Sequence, residues 1–452
     1  MSRDQPASPA TYARRLGLFS GTMAVIGGII GGGIFRTPAT VAERVGSSGL
    51  VLAAWIAGGV VALVGALCFG ELGQRRPKAG GGYVYLRETW GPLAAFLYGW
   101  ALLLVIATGA MAAVAVTFAN YALALAGLPA RFTVPVAIGA IVFLSGVNWV
   151  GVKPGAVTQN VLTLLKLGAL AVLIVAGLAA VLSPAGEPGP AVPPTVGEQG
   201  IVVSLGSALV PILFTYGGWQ QTNFLAEEMI EPEKNLPRAL VLGVAVVVAV
   251  YLLANVAYLG VLGPAGLAAS SAPAADTMRI LFGPAGGTLI AAGIAVSTLG
   301  FLDLVILVTP RVLQAMAADG VFLPRLARLH PVYRTPTAAI AVLGTWAIAL
   351  TLTGTFAQLV DYVAFADWIF FGLTVAGLFV YRARERAAGT AASGFRVPGY
   401  PWTPALFVAA AVYVVVSSVL ASLRNAAAGS ALLLLGVPVY RYWSGRSRRA
   451  RA

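Results

Sequence analysis

Three consecutive glycines, Gly31, Gly32 and Gly33, sit inside the first long apolar stretch, residues 16–41. Glycine costs up to about 1 kcal/mol of helix propensity per residue relative to alanine. A break in a membrane-length helix also frees N–H and C=O groups that lipid cannot satisfy. Such a break persists only where protein buries it or where it lines a polar cavity. A second break, Tyr216-Gly217-Gly218-Trp219, lies in a later apolar stretch. Amides at the start of a helix half suit an anion, and carbonyls at the end of one suit a cation. The two breaks together suit a zwitterion with both charges on one carbon, an α-amino acid. Paired glycine interruptions point to a carrier's binding site. The blander reading is close helix packing through small residues. It suits a single glycine pair better than GGG followed by GG.

Three ionisable residues lie inside apolar segments: Lys166, Asp303 and Asp367. Ionisable groups at membrane depth are functional candidates by default. The Lys166 ammonium can stand in for a metal cation, tying the fifth segment to the first and eighth, or it can exchange protons. It can also simply snorkel to the surface. Asp303 and Asp367 can partner Lys166, line a pocket or take up a proton, or serve only as interhelical hydrogen-bond acceptors. Phe214, Tyr216 and Trp219 flank the second break and are candidates for closing over a ligand. Thr108, Gly109 and Ala110 are candidate small lining residues on the third segment. Glu227, Glu228 and Glu231 with Lys234 and Arg238 read as a structural charge cluster. Gly80-Gly81-Gly82-Tyr83-Val84-Tyr85 reads as a flexible inner loop. No Lys-Ser/Thr follows those glycines, so it is no nucleotide loop.

The elements that must position these groups are membrane helices. The 452 residues are 59% apolar and 10% charged, with a mean hydropathy of +0.87. A spanning helix needs about 20 apolar residues. Twelve segments meet the pattern: residues 17–44, 49–73, 91–126, 133–150, 155–182, 200–230, 239–262, 286–318, 336–353, 356–382, 402–423 and 429–443. The polar N-terminus and the long first segment do not form a signal peptide. One cysteine, Cys68, and one histidine, His330, exclude a disulfide framework and a His-built metal or catalytic centre. No cofactor is expected, nor an enzyme. The net charge of +13 is concentrated in alternate loops, as the positive-inside rule requires, which argues against nucleic-acid binding. Arg3, Arg14 and Arg15, then Arg75, Arg76 and Lys78, then Arg325, Arg328 and Arg334, then Arg382, Arg384, Arg386 and Arg396, then Arg446, Arg448, Arg449 and Arg451 all fall on one side. Both termini are therefore expected in the cytoplasm, in the plasma (inner) membrane. The Pro/Gly-rich linker 183–199, with Glu187 and Glu198, is expected outside.

Breaks in the first and sixth segments imply two inverted five-helix halves. The expected division is a cytoplasmic tail 1–16, a core 17–382 with halves 17–182 and 200–382, two further helices over 400–443, and a basic tail 444–452.

Ile29-Ile30-Gly31-Gly32-Gly33-Ile34-Phe35-Arg36-Thr37-Pro38 resembles the GSGIF motif of the amino acid–polyamine–organocation superfamily. Phe214-Thr215-Tyr216-Gly217-Gly218-Trp219, Asn223-Phe224, Glu227-Glu228 and Asn235-Leu236-Pro237-Arg238 resemble the sixth-helix signature of its L-type amino acid transporter branch. Asn148-Trp149-Val150-Gly151-Val152-Lys153, Gln159 and Lys166 are similar to its fourth and fifth helices. The resemblance implies an all-α, leucine-transporter-type fold: a 5+5 inverted repeat plus two helices, with the first and sixth helices unwound at the midplane. It implies a secondary carrier of neutral L-amino acids, by sodium-independent exchange or proton coupling. Amides of Gly32 and Gly33 would bind the carboxylate. Carbonyls of Ile29, Phe214 and Gly217 would bind the amino group, with Gly31 and Gly218 in the same breaks. Phe214 would be the gate, and Lys166 would occupy a sodium position. The chain departs from the pattern at Gly32, where serine is usual, at Phe301, where a serine near the lysine is expected, and at Asp367, where the branch has Asn. Asp367 keeps cationic amino acids or polyamines open as substrates; a non-transporting amino acid sensor is a further alternative. Residues 125–131 hold no cysteine, so no disulfide-linked heavy chain is expected.

Overall fold

The computed structural model describes residues 11–182, 200–354, 356–390 and 394–449. The linker 183–199, Arg3 and Arg451 lie outside the described residues, as do the side chains of 356–365 and 447–449. Among the described residues the chain is helical, with one isolated bridge between Leu16 and Met229. Among the described residues, ten helices are long and apolar enough to cross a membrane. Two shorter apolar helices, Leu18–Ile29 and Thr337–Thr353, accompany them.

Helix α1 (Leu18–Ile29) stops where Ile30 turns extended at φ −76°, ψ 90°. A 3-10 turn, Gly33–Phe35, follows. Helix α2 (Thr37–Val45) opens with Pro38 in its first turn and closes on left-handed Gly46 at φ +68°. Pro at the start and Gly past the end are the expected helix punctuation. Helix α3 (Ser48–Arg75) is capped by Ser47, whose Oγ accepts from the Leu50 amide at 3.3 Å. Helices α4 (Gly82–Trp90), α5 (Pro92–Ala101) and α6 (Ala107–Ala126) follow. A π-helical segment, Leu102–Ile106, joins the last two, and the Thr108 hydroxyl donates to the Leu103 carbonyl there at 2.8 Å. Then come α7 (Thr133–Trp149), α8 (Val152–Leu182) and α9 (Ile201–Thr215). Helix α9 gives way at Tyr216 to a 3-10 segment, Trp219–Glu228. The rest are α10 (Pro232–Ala269), α11 (Pro273–Val308), α12 (Pro310–Ala318), α13 (Thr337–Thr353), α14 (Phe356–Ala387), α15 (Trp402–Ala421), α16 (Leu423–Leu434) and α17 (Gly436–Arg449).

Helix α10 packs along α3 and α1, and α11 along α8 and α6. These contacts set the first break between α8, α10 and α11. Close approach explains the glycines of α3: Gly65 faces Trp219 and Phe407, and Gly73 faces Leu236 and Asn223.

Three expectations are corrected. Gly80–Tyr85 is not a flexible loop. Those residues are buried, and α4 begins at Gly82. Gly80 donates its amide to the Phe224 carbonyl at 3.2 Å, and the Tyr85 hydroxyl donates to Asn223 Oδ1 at 3.1 Å. The glycines are there because Gly80 and Gly81 turn at φ +90° and +40°, Gly80 against Ala315 and Gly81 directly against the Asn223 backbone. The seventh segment begins earlier than hydropathy suggested, at Pro232, while kinks at Gly263 (φ +66°) and Gly283 (φ +61°) fall at the expected end of the seventh segment and the expected start of the eighth. The last segment divides at Leu435 into α16 and α17.

Within the charge cluster after the second break, Glu228 is structural. Arg311 is fully buried and donates to both Glu228 oxygens, at 2.7 and 3.3 Å. The Glu228 carbonyl accepts from the Arg15 and Leu16 amides at 2.9 and 3.0 Å. Removing one partner of a buried pair strands the other charge, at a cost of about 3–5 kcal/mol. Arg311→Met is therefore expected to lower the melting temperature in detergent well below that of the parent protein. A double Arg311→Met, Glu228→Gln variant recovers part of the loss.

Candidate functional site

The two breaks meet each other. A Cβ on Gly218 would lie 2.0 Å from the Gly28 carbonyl oxygen, and one on Gly33 would lie 2.8 Å from Thr215 Cγ2. Tyr251 of α10 bridges them: its hydroxyl is 3.1 Å from the Ile29 carbonyl and 3.5 Å from that of Thr215. Thr37 and Thr215 share a hydroxyl–hydroxyl bond at 2.8 Å. No sequence signal marks Tyr251, which lies 222 positions from Ile29.

Lys166 is fully buried. Its ammonium donates to the carbonyls of Gly27, Ile30 and Ser297 at 3.2, 2.8 and 3.3 Å. It thus joins α8 to the end of α1 and to α11. The negative end of the α1 dipole favours a cation there. Ser297 reinforces the join, its hydroxyl lying 3.2 Å from the Ile30 carbonyl and 3.0 Å from that of Gly31. The lysine's serine partner is therefore Ser297, one turn before Phe301. The Phe301 ring instead lies against Gly31, 3.6 Å from where a Cβ would sit.

With these bonds made, the carbonyls at the end of α1 are largely occupied. The Gly32 and Gly33 amides donate to no backbone carbonyl among the described residues. The Ile29 carbonyl already accepts two bonds, from the Gly31 amide at 2.9 Å and the Tyr251 hydroxyl at 3.1 Å, and the Phe214 carbonyl accepts from the Gly217 and Tyr216 amides. A ligand ammonium at these carbonyls would replace one of those donors, since a carbonyl oxygen has two lone pairs. Around Gly32 nothing approaches an added Cβ within 4 Å. Gly32→Ser is accordingly expected to leave amino acid counterflow within about twofold of the parent, the usual range for an unobstructed substitution.

Beside the second break lies a cavity of about 210 Å³. Its lining includes Leu213, Phe214, Gly217 and Gly218 from the break, Ala107 and Ala110 from α6, Phe301 and Val305 from α11, and Asp367, Trp368 and Phe371 from α14. Tyr98, Gln220, Gln221 and Thr309 add polar atoms. Drug-sized ligands occupy about 300–1,000 Å³, so this space suits a smaller molecule. Phe301 touches both the cavity and Gly31 and so links the two breaks. Ile29 and Gly31 to Gly33 are not among the cavity's lining residues.

The other candidates separate clearly. Phe214 stands in the wall between the cavity and a larger crevice of about 1,450 Å³ beside α9 and α15. Its ring meets Trp368 edge-on at 6.4 Å. Tyr216 and Trp219 face the protein interior. The Tyr216 hydroxyl reaches the Trp55 carbonyl at 3.3 Å, and Trp219 packs on Phe69 at 5.0 Å and Phe407 at 6.1 Å. Asp303 is fully buried and accepts from Asn148 Nδ2 at 2.8 Å. No carboxylate among the described residues lies within 4.0 Å of Lys166. Asp367 lines the cavity with no hydrogen-bond or ion-pair partner among the described residues. Of the small residues on the third segment, Ala110 lines the cavity. Thr108 is spent on the π segment. No group of three or more His, Cys, Asp or Glu among the described residues could hold a metal. His330 is a turn residue, its Nδ1 accepting from the Val332 and Tyr333 amides at 3.3 and 3.2 Å.

Ten membrane-length helices among the described residues, with a small cavity beside the ends of α1 and α9, fit a multi-pass membrane protein. The chain belongs to the amino acid permease family, whose model it matches over residues 16–439. It is 35% identical over 384 residues to human b(0,+)-type amino acid transporter 1, covering 84% of this chain and 78% of that one. It is 33% identical over 430 residues to the serine/threonine exchanger SteT of Bacillus subtilis, covering 94% and 96%. It is 32% identical over 453 residues to human large neutral amino acids transporter small subunit 2, covering 96% and 82%.

Proposed function

We propose that this protein is a sodium-independent secondary transporter of neutral L-amino acids that works by alternating access, as an exchanger or a proton-coupled permease. In this reading twelve spans form a 5+5 inverted repeat plus two helices, with both termini cytoplasmic in the plasma (inner) membrane. The broken helices lie at the midplane. The free amides of Gly32 and Gly33 receive the α-carboxylate. The carbonyls of Ile29, Phe214 and Gly217 receive the α-ammonium, which replaces a donor they hold in this structure. The side chain extends past Phe301 towards the cavity, and Phe214 gates the site.

The observation that carries the reading is the contact of the two breaks, backbone on backbone, beside a small cavity. The Lys166 ammonium fills the point where three carbonyls converge, which supports independence from sodium. The SteT relative is named an exchanger, which favours exchange. Cys68 is buried and free, and this supports a carrier that works without a disulfide-linked heavy chain.

One observation favours a second substrate class. The unpartnered Asp367 carboxylate in the cavity suits a cationic side chain or a polyamine.

The test is uptake of radiolabelled alanine, leucine, arginine and putrescine into proteoliposomes holding this chain alone. Exchange requires amino acid inside; proton coupling requires an inward proton gradient; neither requires sodium. Absence of amino acid flux under every gradient overturns the reading. If arginine or putrescine wins, Asp367→Asn is expected to reduce that uptake and spare leucine.

A further inference from the structure

A third cavity lies apart from the two breaks. This crevice of about 930 Å³ is bounded by the C-terminal end of α3, the first turns of α10, the end of α14 and Phe395. Its lining carries four basic residues, Arg75, Arg76, Lys234 and Arg238, against two acidic ones, Glu233 and Glu385. Arg75 is engaged with Glu71 and Glu385, and Arg76 with Glu88. Lys234 reaches only the exposed Glu231, at 3.5 Å. Arg238 is exposed and has no carboxylate within 4.0 Å among the described residues.

The wall below Arg238 is apolar and open. Val241, Leu242 and Leu67 line the crevice. Along α10, Arg238 is followed at helical spacing by Leu242, Val246 and Leu253, which are 49%, 40% and 44% exposed. Arg238 to Leu253 covers about 22 Å at 1.5 Å per residue, most of a hydrocarbon core of about 30 Å. A soluble anion needs the basic rim alone. A lipid needs the rim and the stripe in one line, and α10 supplies both.

We propose that this crevice binds an anionic phospholipid, its phosphate against Arg238 and Lys234 and one acyl chain along Leu242, Val246 and Leu253. The bound lipid bridges the ends of α3, α10 and α14. Basic pockets between membrane helices hold acidic headgroups by the same chemistry.

The test uses the full chain in nanodiscs of equimolar phosphatidylglycerol and phosphatidylcholine, followed by native mass spectrometry of retained lipid. Phosphatidylglycerol is expected to be retained preferentially. Arg238→Gln should cut that preference about fivefold, the effect of one basic residue near an anionic surface. Leu242→Gln should cut retention as well. Arg328→Gln, on an exposed loop elsewhere, should leave it unchanged, and sn-glycerol 3-phosphate should not displace the lipid. Equal retention of both lipids, or equal effects of Arg238→Gln and Arg328→Gln, overturns the proposal. Displacement by sn-glycerol 3-phosphate, with Leu242→Gln silent, also overturns it and assigns the crevice to a soluble anion. Amino acid counterflow by the same variants reports folding independently.

Discussion

Gly218→Ala is expected to abolish transport while the protein still reaches the membrane. Gly218 holds φ +111°, where an L side chain is strained by about 1–2 kcal/mol. The new Cβ would also lie 2.0 Å from the Gly28 oxygen and 2.6 Å from its carbonyl carbon. Both atoms are backbone, so no rotamer change relieves the contact. Either the end of α1 or the start of the Trp219–Glu228 segment must move. Forcing extra atoms into a packed site typically costs about 1–3 kcal/mol more. The damage falls where the two breaks are held in register. Counterflow in proteoliposomes reads the effect, with Gly32→Ala as the matched control. Gly32 has open space around it, so its variant keeps transport. Equal activity of the two variants would contradict the arrangement.

Lys166→Met has the second largest expected effect. Methionine is similar in length and apolar, so it fills the space without the ammonium. The Gly27 carbonyl then loses the donor it has at 3.2 Å. The Ile30 carbonyl keeps only the Ser297 hydroxyl at 3.2 Å. A buried polar group left unsatisfied costs about 1–3 kcal/mol. The end of α1 also loses its tie to α8, and the first break loses its fixed position. Transport should fall to background, with a lower melting temperature in detergent. Lys166→Met with parent-like counterflow would mean that the ammonium is dispensable. Arginine is no substitute, because Gly300 already lies against the lysine tip: a Cβ there would be 3.1 Å from Nζ.

Both breaks were legible because glycine runs are costly in an apolar helix and so stand out. Lys166 was legible for the same reason: one charge in an apolar segment needs partners, and its link to the first and eighth segments matches the expectation. Its partner on α11 was not legible, because the group it meets is the Ser297 backbone carbonyl, which any residue type supplies. Ser297 and Phe301 lie one helical turn apart, on the same side of α11, and a linear alignment does not say which one packs on Gly31. Tyr251 was missed because a tyrosine in a valine-rich helix looks like packing until the helix beside it is known. Tyr216 and Trp219 sit next to the break in sequence, yet the turn at Gly217 and Gly218 aims them into the bundle against Trp55 and Phe69. The Gly80–Gly82 turn misled for a related reason. Glycine marks close backbone approach as readily as flexibility, and only the Asn223 backbone beside Gly81 distinguishes them. The kinks at Gly263 and Gly283 fall where the apolar segments were expected to stop and start, each at a Gly-Pro pair.

In the proposed site, backbone groups at the two breaks hold both charged groups of an α-amino acid. The direct test is a competition series in counterflow: L-leucine against its methyl ester, its N-acetyl derivative and the parent amine, isopentylamine. Only compounds with both a free α-ammonium and a free α-carboxylate are expected to compete. Competition by the ester or the N-acetyl acid at the level of leucine would contradict it.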